Sequence, residues 1–334
     1  MKTKKPFVAI VAGGDSSEHD VSLCSGNGIA SFMDARRFDY CIVELKGKDW
    51  KAHYGTERCD IDKNDFSFTA SDGHHTFDFA YITIHGTPGE NGILQGYFDL
   101  IGLPYSTSSL LIESLTFNKF ALNGFLRGFP ELKVSDSLLF RKNQPLPTPE
   151  SIVERIGLPC FVKPNAGGSS FGITKVKQVE ELLPAISKAM NESDEVMAER
   201  LMVGTEVTCG CYRKGDEVVV FPITEVVTQR EFFDYEAKYE GQVSEITPAR
   251  IAPETAKRVS KMTSDIYKYL GCYGIIRIDY ILSGAKGQEE INLLEIDTTP
   301  GMTPTSFIPQ QVRAAQLQMS EVLADIIMGK LDNQ

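Results

Sequence analysis

The stretch Lys163-Pro-Asn-Ala-Gly-Gly-Ser-Ser-Phe-Gly172 decides how this chain is read. It follows a short apolar run, Leu158 to Val162, and precedes a β-branched run, Ile173 to Val176. The order is strand, glycine-rich loop, strand. Glycine lets the backbone approach a phosphate closely, and loop N–H groups can point at its oxygens. Lys163 adds a compact positive charge. The loop lacks the Gly-Lys-Ser/Thr close of a Walker A motif. Taken alone, it reads either as a phosphate cradle or as a plain hairpin tip.

A second stretch lies downstream. Gly274-Ile-Ile-Arg-Ile-Asp-Tyr-Ile-Leu282 and Ile291-Asn-Leu-Leu-Glu-Ile-Asp297 are strand-like runs on either side of a polar, glycine-containing turn. Side chains two apart in a strand share a face. Arg277 and Asp279 therefore share one face, as do Glu295 and Asp297. If Asp279 pairs with Glu295, Arg277 falls opposite Asp297, and three carboxylates meet one guanidinium. Ile276, Ile278, Tyr280, Leu294 and Ile296 then face the core. Clustered carboxylates repel unless a cation joins them, and oxygen-only ligands favour Mg²⁺ or Mn²⁺. The plainer alternative is an acidic, solvent-facing sheet surface with one ion pair. The rigid turn Thr298-Thr-Pro-Gly-Met-Thr-Pro304 that follows favours the metal reading.

The chain has 334 residues, enough for two or three domains with buried cores. Its net charge of −11 argues against a nucleic-acid partner, so any phosphate-binding cations must be local. Phe7–Ala12 is too short for a signal segment and reads as a first strand, and no run approaches membrane-spanning length. Seven scattered cysteines without zinc spacing point to reduced thiols in a cytoplasmic enzyme.

Strand and helix signals alternate over the first hundred residues. Phe7–Ala12, Tyr40–Leu45 and Phe77–Ile84 read as strands, with helices after Ser16 and over Ile93–Leu100. This implies a doubly wound parallel sheet. A helix carrying Lys119 follows, then a helix at Ser151–Ile156, the glycine loop and a helix at Gln178–Met190. From about Glu199 an antiparallel sheet is expected, closed by one helix from Gln310 to Met328.

These residues carry a resemblance. The glycine loop behind a lysine, with Asp279, Glu295 and Asp297 on facing strands, resembles the ATP-grasp fold. Within it the whole chain resembles the D-alanine–D-alanine ligases. The markers are Gly13-Gly-Asp-Ser-Ser-Glu-His-Asp-Val-Ser22, His85-Gly-Thr-Pro-Gly-Glu-Asn-Gly92, the 163–172 loop, Phe233-Asp-Tyr-Glu-Ala-Lys-Tyr239, Arg277-Ile-Asp279 and Pro300-Gly-Met-Thr-Pro-Thr-Ser306. The expected architecture is α/β and α+β, a three-domain ATP-grasp fold. It divides into an N-terminal doubly wound substrate domain (1–107), a central subdomain with the phosphate loop (108–198) and a C-terminal subdomain with a lid over 228–248.

The resemblance implies a reaction and a set of roles. One D-alanine carboxylate attacks the ATP γ-phosphate, and the amine of a second D-alanine attacks the resulting acyl phosphate. Lys119, Lys163 and Ser170 hold phosphates, Glu199 and the backbone near Leu201 read adenine, and Glu206 holds the ribose. Asp279, Glu295 and Asp297 hold two Mg²⁺ or Mn²⁺ ions, and some members respond to K⁺. Arg277 and the Gly301 N–H stabilise the oxyanion. Glu18, with Ser22 one turn along the same helix, binds the first D-alanine ammonium and connects through Ser169 to Tyr239 of the lid. His85, Lys238 and Ser306 bind substrate. Read without the resemblance, Glu18 is a helix-end acid, His85 a structural histidine, 199–206 an exposed turn and 228–248 a surface helix packed by aromatics. The family more often carries asparagine at the position of Asp297 and a charged residue at that of Gly167. The resemblance further implies a homodimer and a product for peptidoglycan precursor synthesis. The rival expectations are a D-alanine–D-lactate ligase of the same fold and a non-catalytic ATP-binding protein.

Overall fold

The computed structural model describes residues 5–167, 172–228 and 243–332. Three sheets organise the chain. The first contains β1 (Phe7–Gly13), β2 (Asp39–Lys46), β3 (Asp49–Tyr54), β4 (Glu57–Asp62), β5 (Ser67–Ala70), β6 (Gly73–His75) and β7 (Phe79–Ile82). Its order is β6-β5-β4-β3-β2-β1-β7. Only β1, β2 and β7 run parallel; β3 to β6 form an antiparallel meander on one side. The doubly wound sheet expected from the sequence is therefore the parallel part of a mixed sheet.

β1 is buried along its whole length. That is how a strand covered on both faces reads, as an unbroken apolar run. Ala9 and Val11 point into a core with Leu94 and Phe98 of α2 (Ile93–Ile101). Val8 and Ile10 point into another, beside Ile29 of α1 (His19–Phe32).

The second sheet is small, ordered β11-β10-β12-β9 from β9 (Ser137–Arg141), β10 (Cys160–Pro164), β11 (Thr174–Val176) and β12 (Glu195–Arg200). It packs on α5 (Pro149–Ile156) and α6 (Leu182–Ala189) through its own core, which includes Val162, Ile152, Ile186 and Val196. Helix α5 starts where Thr148 accepts from the Ser151 N–H and a proline opens the first turn, both favoured there.

The third sheet follows the order β16-β15-β13-β17-β18-β8, with β14 (Glu217–Val220) beside β13. Its strands are β8 (Leu132–Val134), β13 (Thr205–Lys214), β15 (Thr224–Thr228), β16 (Val243–Ile246), β17 (Ile275–Ser283) and β18 (Glu290–Asp297). Helix α7 (Pro253–Leu270) covers one face. Helices α3 (Leu110–Phe117) and α4 (Lys119–Leu126) bury Ile112, Leu122 and Leu126 in that same core. Residues 110–134, expected in the central unit, thus pack with the third sheet.

The expected single closing helix is two, α8 (Phe307–Ala314) and α9 (Met319–Leu331). Gln316 adopts a positive φ of 59° between them, which an α-helix cannot contain. Ile308, Val312, Leu323 and Ile327 of these helices share one core with Val8, Phe79 and Tyr81 of the first sheet and Tyr212 and Ile275 of the third. All seven cysteines are free thiols, six of them buried. No helix among the described residues is long and apolar enough to cross a membrane.

Candidate active site

The facing strands β17 and β18 pair in the register that their alternation implies, with Arg277 opposite Asp297 and Asp279 opposite Glu295. A bulge after Asp279 then sets Tyr280 opposite Leu293. It moves Leu293 into the core and leaves Leu294, expected there, only half-buried. A bulge re-aims side chains in this way next to sites.

Arg277 grips Asp279 with both sides of its fork, Nε to Oδ1 at 2.9 Å and Nη2 to Oδ2 at 2.8 Å. Its Nη1 donates to Asp297 Oδ2 at 2.7 Å, and Glu295 Oε1 lies 3.6 Å from Nη2. Thr208 on β13 donates to Asp279 Oδ1 at 2.5 Å. The Phe307 ring lies against the guanidinium, 5.6 Å from centroid to Cζ. Burial works against the arginine charge, but Asp279, Asp297 and Glu295 outweigh it and push its pKa further up.

The structure does not gather the three carboxylates into a ligand set. Among the described residues no three His, Cys, Asp or Glu side chains are disposed to hold a metal ion. Arg277 donates to both Asp279 oxygens and to Asp297 Oδ2. The donor chemistry still suits Mg²⁺, which typically takes one or two protein carboxylates and completes its shell with water and substrate phosphate. Glu295 and Asp297 answer that description, with side chains 36% and 19% exposed against 10% for Asp279.

The glycine loop leaves β10 beside a polar brace. Asn165 accepts from the Phe120 N–H at 2.8 Å and donates to Asn118 Oδ1 at 3.0 Å and Glu195 Oε2 at 2.8 Å. Lys119, the first residue of α4, donates from Nζ to the Gly167 carbonyl at 2.8 Å and lies 3.9 Å from Glu295 Oε2. Lys163 and Glu199 form a buried pair, Nζ to Oε1 at 2.5 Å. They sit diagonally on paired strands, since Phe161 is opposite Glu199 and Lys163 opposite Met197. Leu201 is half-buried just beyond β12, and Glu206 lies on β13 opposite Ile281 and Val226. Ser169 and Ser170 fall outside the described residues, as do Lys238 and Tyr239 of the expected lid, whose flanks β15 and β16 pair antiparallel.

From the first sheet, Glu18 stands at the start of α1, its carbonyl accepting from the Ser22 N–H at 2.9 Å. The Ser22 hydroxyl is committed elsewhere, donating to the Thr83 carbonyl at 2.7 Å and accepting from the Gly13 N–H at 2.8 Å. It clasps α1 to the sheet. His85 is buried at the carboxyl end of the parallel strands, its Nε2 3.1 Å from Ser25 Oγ. Ligands favour that end of such sheets. Ser306 precedes α8, and its hydroxyl lies 2.8 Å from Thr303 Oγ1 and accepts from the Thr303 N–H at 3.1 Å. A Cβ on Gly301 would come 3.0 Å from Ser306 Oγ, so the turn is close-fitting there.

Two acids absent from the sequence reading also belong to this region. Glu90 accepts from the Gly86 N–H at 2.5 Å and organises the 85–92 loop. Burial first, then Asp297, Glu18 and Glu113, push its carboxyl upward. Glu113 on α3 is fully buried, and burial pushes its carboxyl up to about 8 against the lowering effect of its hydrogen bonds. The motif 85–92 contained Glu90. Glu113 sits in an ordinary helical run with no local signature.

The whole arrangement depends on α1 lying close to the 300–306 turn. A Cβ on Gly28 would strike the Met302 carbonyl oxygen. Gly28→Ala should therefore lower stability by about 1–3 kcal/mol, the usual cost of overpacking. Urea denaturation measures it, and an unchanged midpoint would contradict this packing.

Glu18, His85, Glu90, Lys119, Gly167, Arg277, Glu295 and Asp297 line one cleft between the three sheets. A glycine loop, a charged strand pair and the 85–92 loop around one cleft are the arrangement of an ATP-grasp ligase fold. Family models agree. Residues 7–108 match one described as D-ala D-ala ligase N-terminus, and residues 131–328 match one described as D-ala D-ala ligase C-terminus. A D-alanine–D-alanine ligase from Phocaeicola vulgatus is 58% identical, over 98% of this chain and 99% of its own. Among solved structures, a D-alanyl-alanine synthetase A from Vibrio cholerae superposes with a TM-score of 0.86 at 25% identity, covering 99% of both chains. A D-alanine–D-alanine ligase from Bacillus anthracis complexed with ATP gives 0.76 at 26% identity, covering 98% of each. The chain belongs to the D-alanine–D-alanine ligase family.

Proposed function

We propose that this cleft joins two D-alanine molecules into D-alanyl-D-alanine at the expense of ATP, by way of D-alanyl phosphate. The observation that carries the reading is the convergence of a phosphate-loop lysine contact, a buried arginine between carboxylates and the His85 loop on one cleft, in a chain of this family.

The chemistry follows in two displacements. A carboxylate oxygen of the first D-alanine forms a bond to the γ-phosphorus, and the bond to the β–γ bridging oxygen breaks, releasing ADP. The amine of the second D-alanine, having lost a proton, then attacks the acyl carbon. A tetrahedral oxyanion forms, and its collapse breaks the bond to phosphate while the nitrogen gives up its remaining extra proton to the departing phosphate, leaving the amide. Anion meets anion in the first step, so positive charge must be in place beforehand. Lys119 and Lys163 supply it from the protein. Glu295 and Asp297 would hold Mg²⁺ or Mn²⁺, which when bound neutralises phosphate charge.

Arg277 serves the oxyanion. A guanidinium has five N–H donors. Three are committed to Asp279 and Asp297, and the others remain for the developing charge. Because the fork is locked by two carboxylates, little reorganisation accompanies the reaction. Glu18 and His85 would orient the first D-alanine, and Ser306, Lys238 and the Gly301 N–H the second half of the reaction. Ser169 and Tyr239 would complete the link from Glu18. Leu201, Glu199 and Glu206 would receive the nucleoside, with Ser170 closing on the phosphates. Cytoplasmic location, homodimeric assembly and a K⁺ response belong to the same reading.

The test is ATP-dependent phosphate release by purified protein with Mg²⁺, comparing D-alanine, L-alanine and D-lactate. Release with D-alanine alone, matched by dipeptide, is the expected result. An ester product with D-lactate in preference to dipeptide, or no release with any of them, would overturn it.

A further inference from the structure

Among the described residues, Glu113 is the one carboxylate with no exposed surface beside the cleft, and it takes no part in the chemistry above. It shows no exposed surface, and its neighbours Ile112 and Cys272 are buried too. Burying an acid costs free energy unless its oxygens are used. Here each oxygen is used by a different part of the chain. Oε1 accepts from the Ser108 N–H at 2.9 Å, and Oε2 accepts from the Thr298 hydroxyl at 2.6 Å. Ser108 lies in the strap that leads out of the first sheet, and its hydroxyl accepts from the Tyr273 N–H at 3.1 Å. Thr298 follows Asp297 directly and lines the cleft. The next residue, Thr299, donates its N–H to Asp297 Oδ1 at 3.1 Å and its hydroxyl to the Ile84 carbonyl at 3.3 Å, next to His85. The 297–299 turn is thus held from two sides. Thr299 ties it to the His85 loop, and Glu113 ties it to the strap.

We infer that Glu113 is a positioning residue for the ligation: through Thr298 it sets the Asp297 carboxylate, and through Asp297 the Arg277 fork, relative to the loop carrying His85. The inference rests on the reading that Arg277 and Asp297 form the reacting wall. Packing alone needs no carboxylate at this place. What a carboxyl group adds is two hydrogen-bonding oxygens at fixed separation, one for each segment. Small misplacements of a reacting group are costly, since an error of about 1 Å arising far from the chemistry can reduce rate about a hundredfold.

Full-length Glu113→Ala, Glu113→Gln and Thr298→Val variants test this, with kcat and the separate KM values for ATP and D-alanine read beside thermal unfolding. Glu113→Ala and Thr298→Val should each lower kcat by about tenfold or more, while KM for ATP moves by less than about threefold. Glutamine keeps the shape and the acceptor for Ser108, and its amide N–H can donate to the Thr298 hydroxyl, which then accepts, so Glu113→Gln should recover kcat to within about threefold of the parent. Variants that lose thermal stability yet keep the parental kcat would overturn the inference. If Glu113→Ala does not fold, Thr298→Val decides, because it removes one hydroxyl at nearly constant shape. Arg277→Ala is run alongside. An inactive Arg277→Ala beside a fully active Thr298→Val sinks only the role of Glu113. A fully active Arg277→Ala would sink the reacting wall and this inference with it.

Discussion

Arg277→Ala should cut turnover by about a hundredfold to a thousandfold, the usual effect of removing one oxyanion donor, while ATP binding stays measurable. The arginine is the cation at the centre of Asp279, Asp297 and Glu295. Its loss removes the donors that the proposed mechanism directs at the oxyanion. It also leaves three carboxylates in mutual repulsion next to an incoming polyanion. Stability should fall as well, because Asp279 is buried and loses both fork contacts. Removing one partner of a buried pair costs about 3–5 kcal/mol. Thermal unfolding must therefore be read beside activity. Arg277→Lys should rescue little, since an ammonium cannot reproduce a two-sided fork on Asp279. Turnover within tenfold of the parent, with the variant folded, would contradict the assignment.

The second large effect is expected at Lys163. Its ammonium is enclosed with the Glu199 carboxylate, side chains 7% and 5% exposed. Lys163→Met strands Glu199 as a buried, unpaired charge, and a loss of about 3–5 kcal/mol should follow. On the proposed reading ATP affinity should fall too, because a cation assigned to the phosphates is gone. The paired change separates the two effects. Lys163→Met with Glu199→Met replaces the ion pair by apolar side chains of similar size, which is often neutral for stability. The double variant should regain the urea midpoint of the parent and still bind ATP poorly, since it lacks both the phosphate cation and the nucleoside carboxylate of the proposed site. If it regains both, Lys163 serves the fold alone.

The strand-pair register was legible because it needed only two rules. Residues two apart share a face, and a polar glycine turn joins the runs. Arg277, Asp279, Glu295 and Asp297 then fell together as found. The same rules could not give the bulge, since nothing in Ile-Asn-Leu-Leu-Glu marks which leucine is extra. The meander β3 to β6 went unread for another reason. Its strands are short, and β3 and β4 carry many charged residues, so the alternation is faint. The turns were nonetheless marked, by Gly47, Gly55 and Gly73 with φ of 55°, 60° and 138°. The break between α8 and α9 has no Gly or Pro to announce it, only Gln316 in a left-handed conformation. Glu113 was illegible in principle. What makes it matter is the docking of α3 against β18 and the strap, contacts between residues 185 apart in the chain in the case of Thr298.

The distribution of cores has a consequence for how the cleft can open. Val8, Phe79, Tyr212, Ile275, Ile308 and Ile327 belong to one apolar cluster, so the first and third sheets are fused by a common interior. Swinging them apart would bring buried hydrocarbon into water. The small sheet keeps Ile152, Val162 and Ile186 to itself. At the phosphate loop it meets α4 through polar links, Asn165 with Phe120 and Asn118, and Lys119 with Gly167. Links of that kind can be exchanged for water at little cost. Moving the small sheet against the other two would therefore expose less hydrocarbon than parting the first sheet from the third.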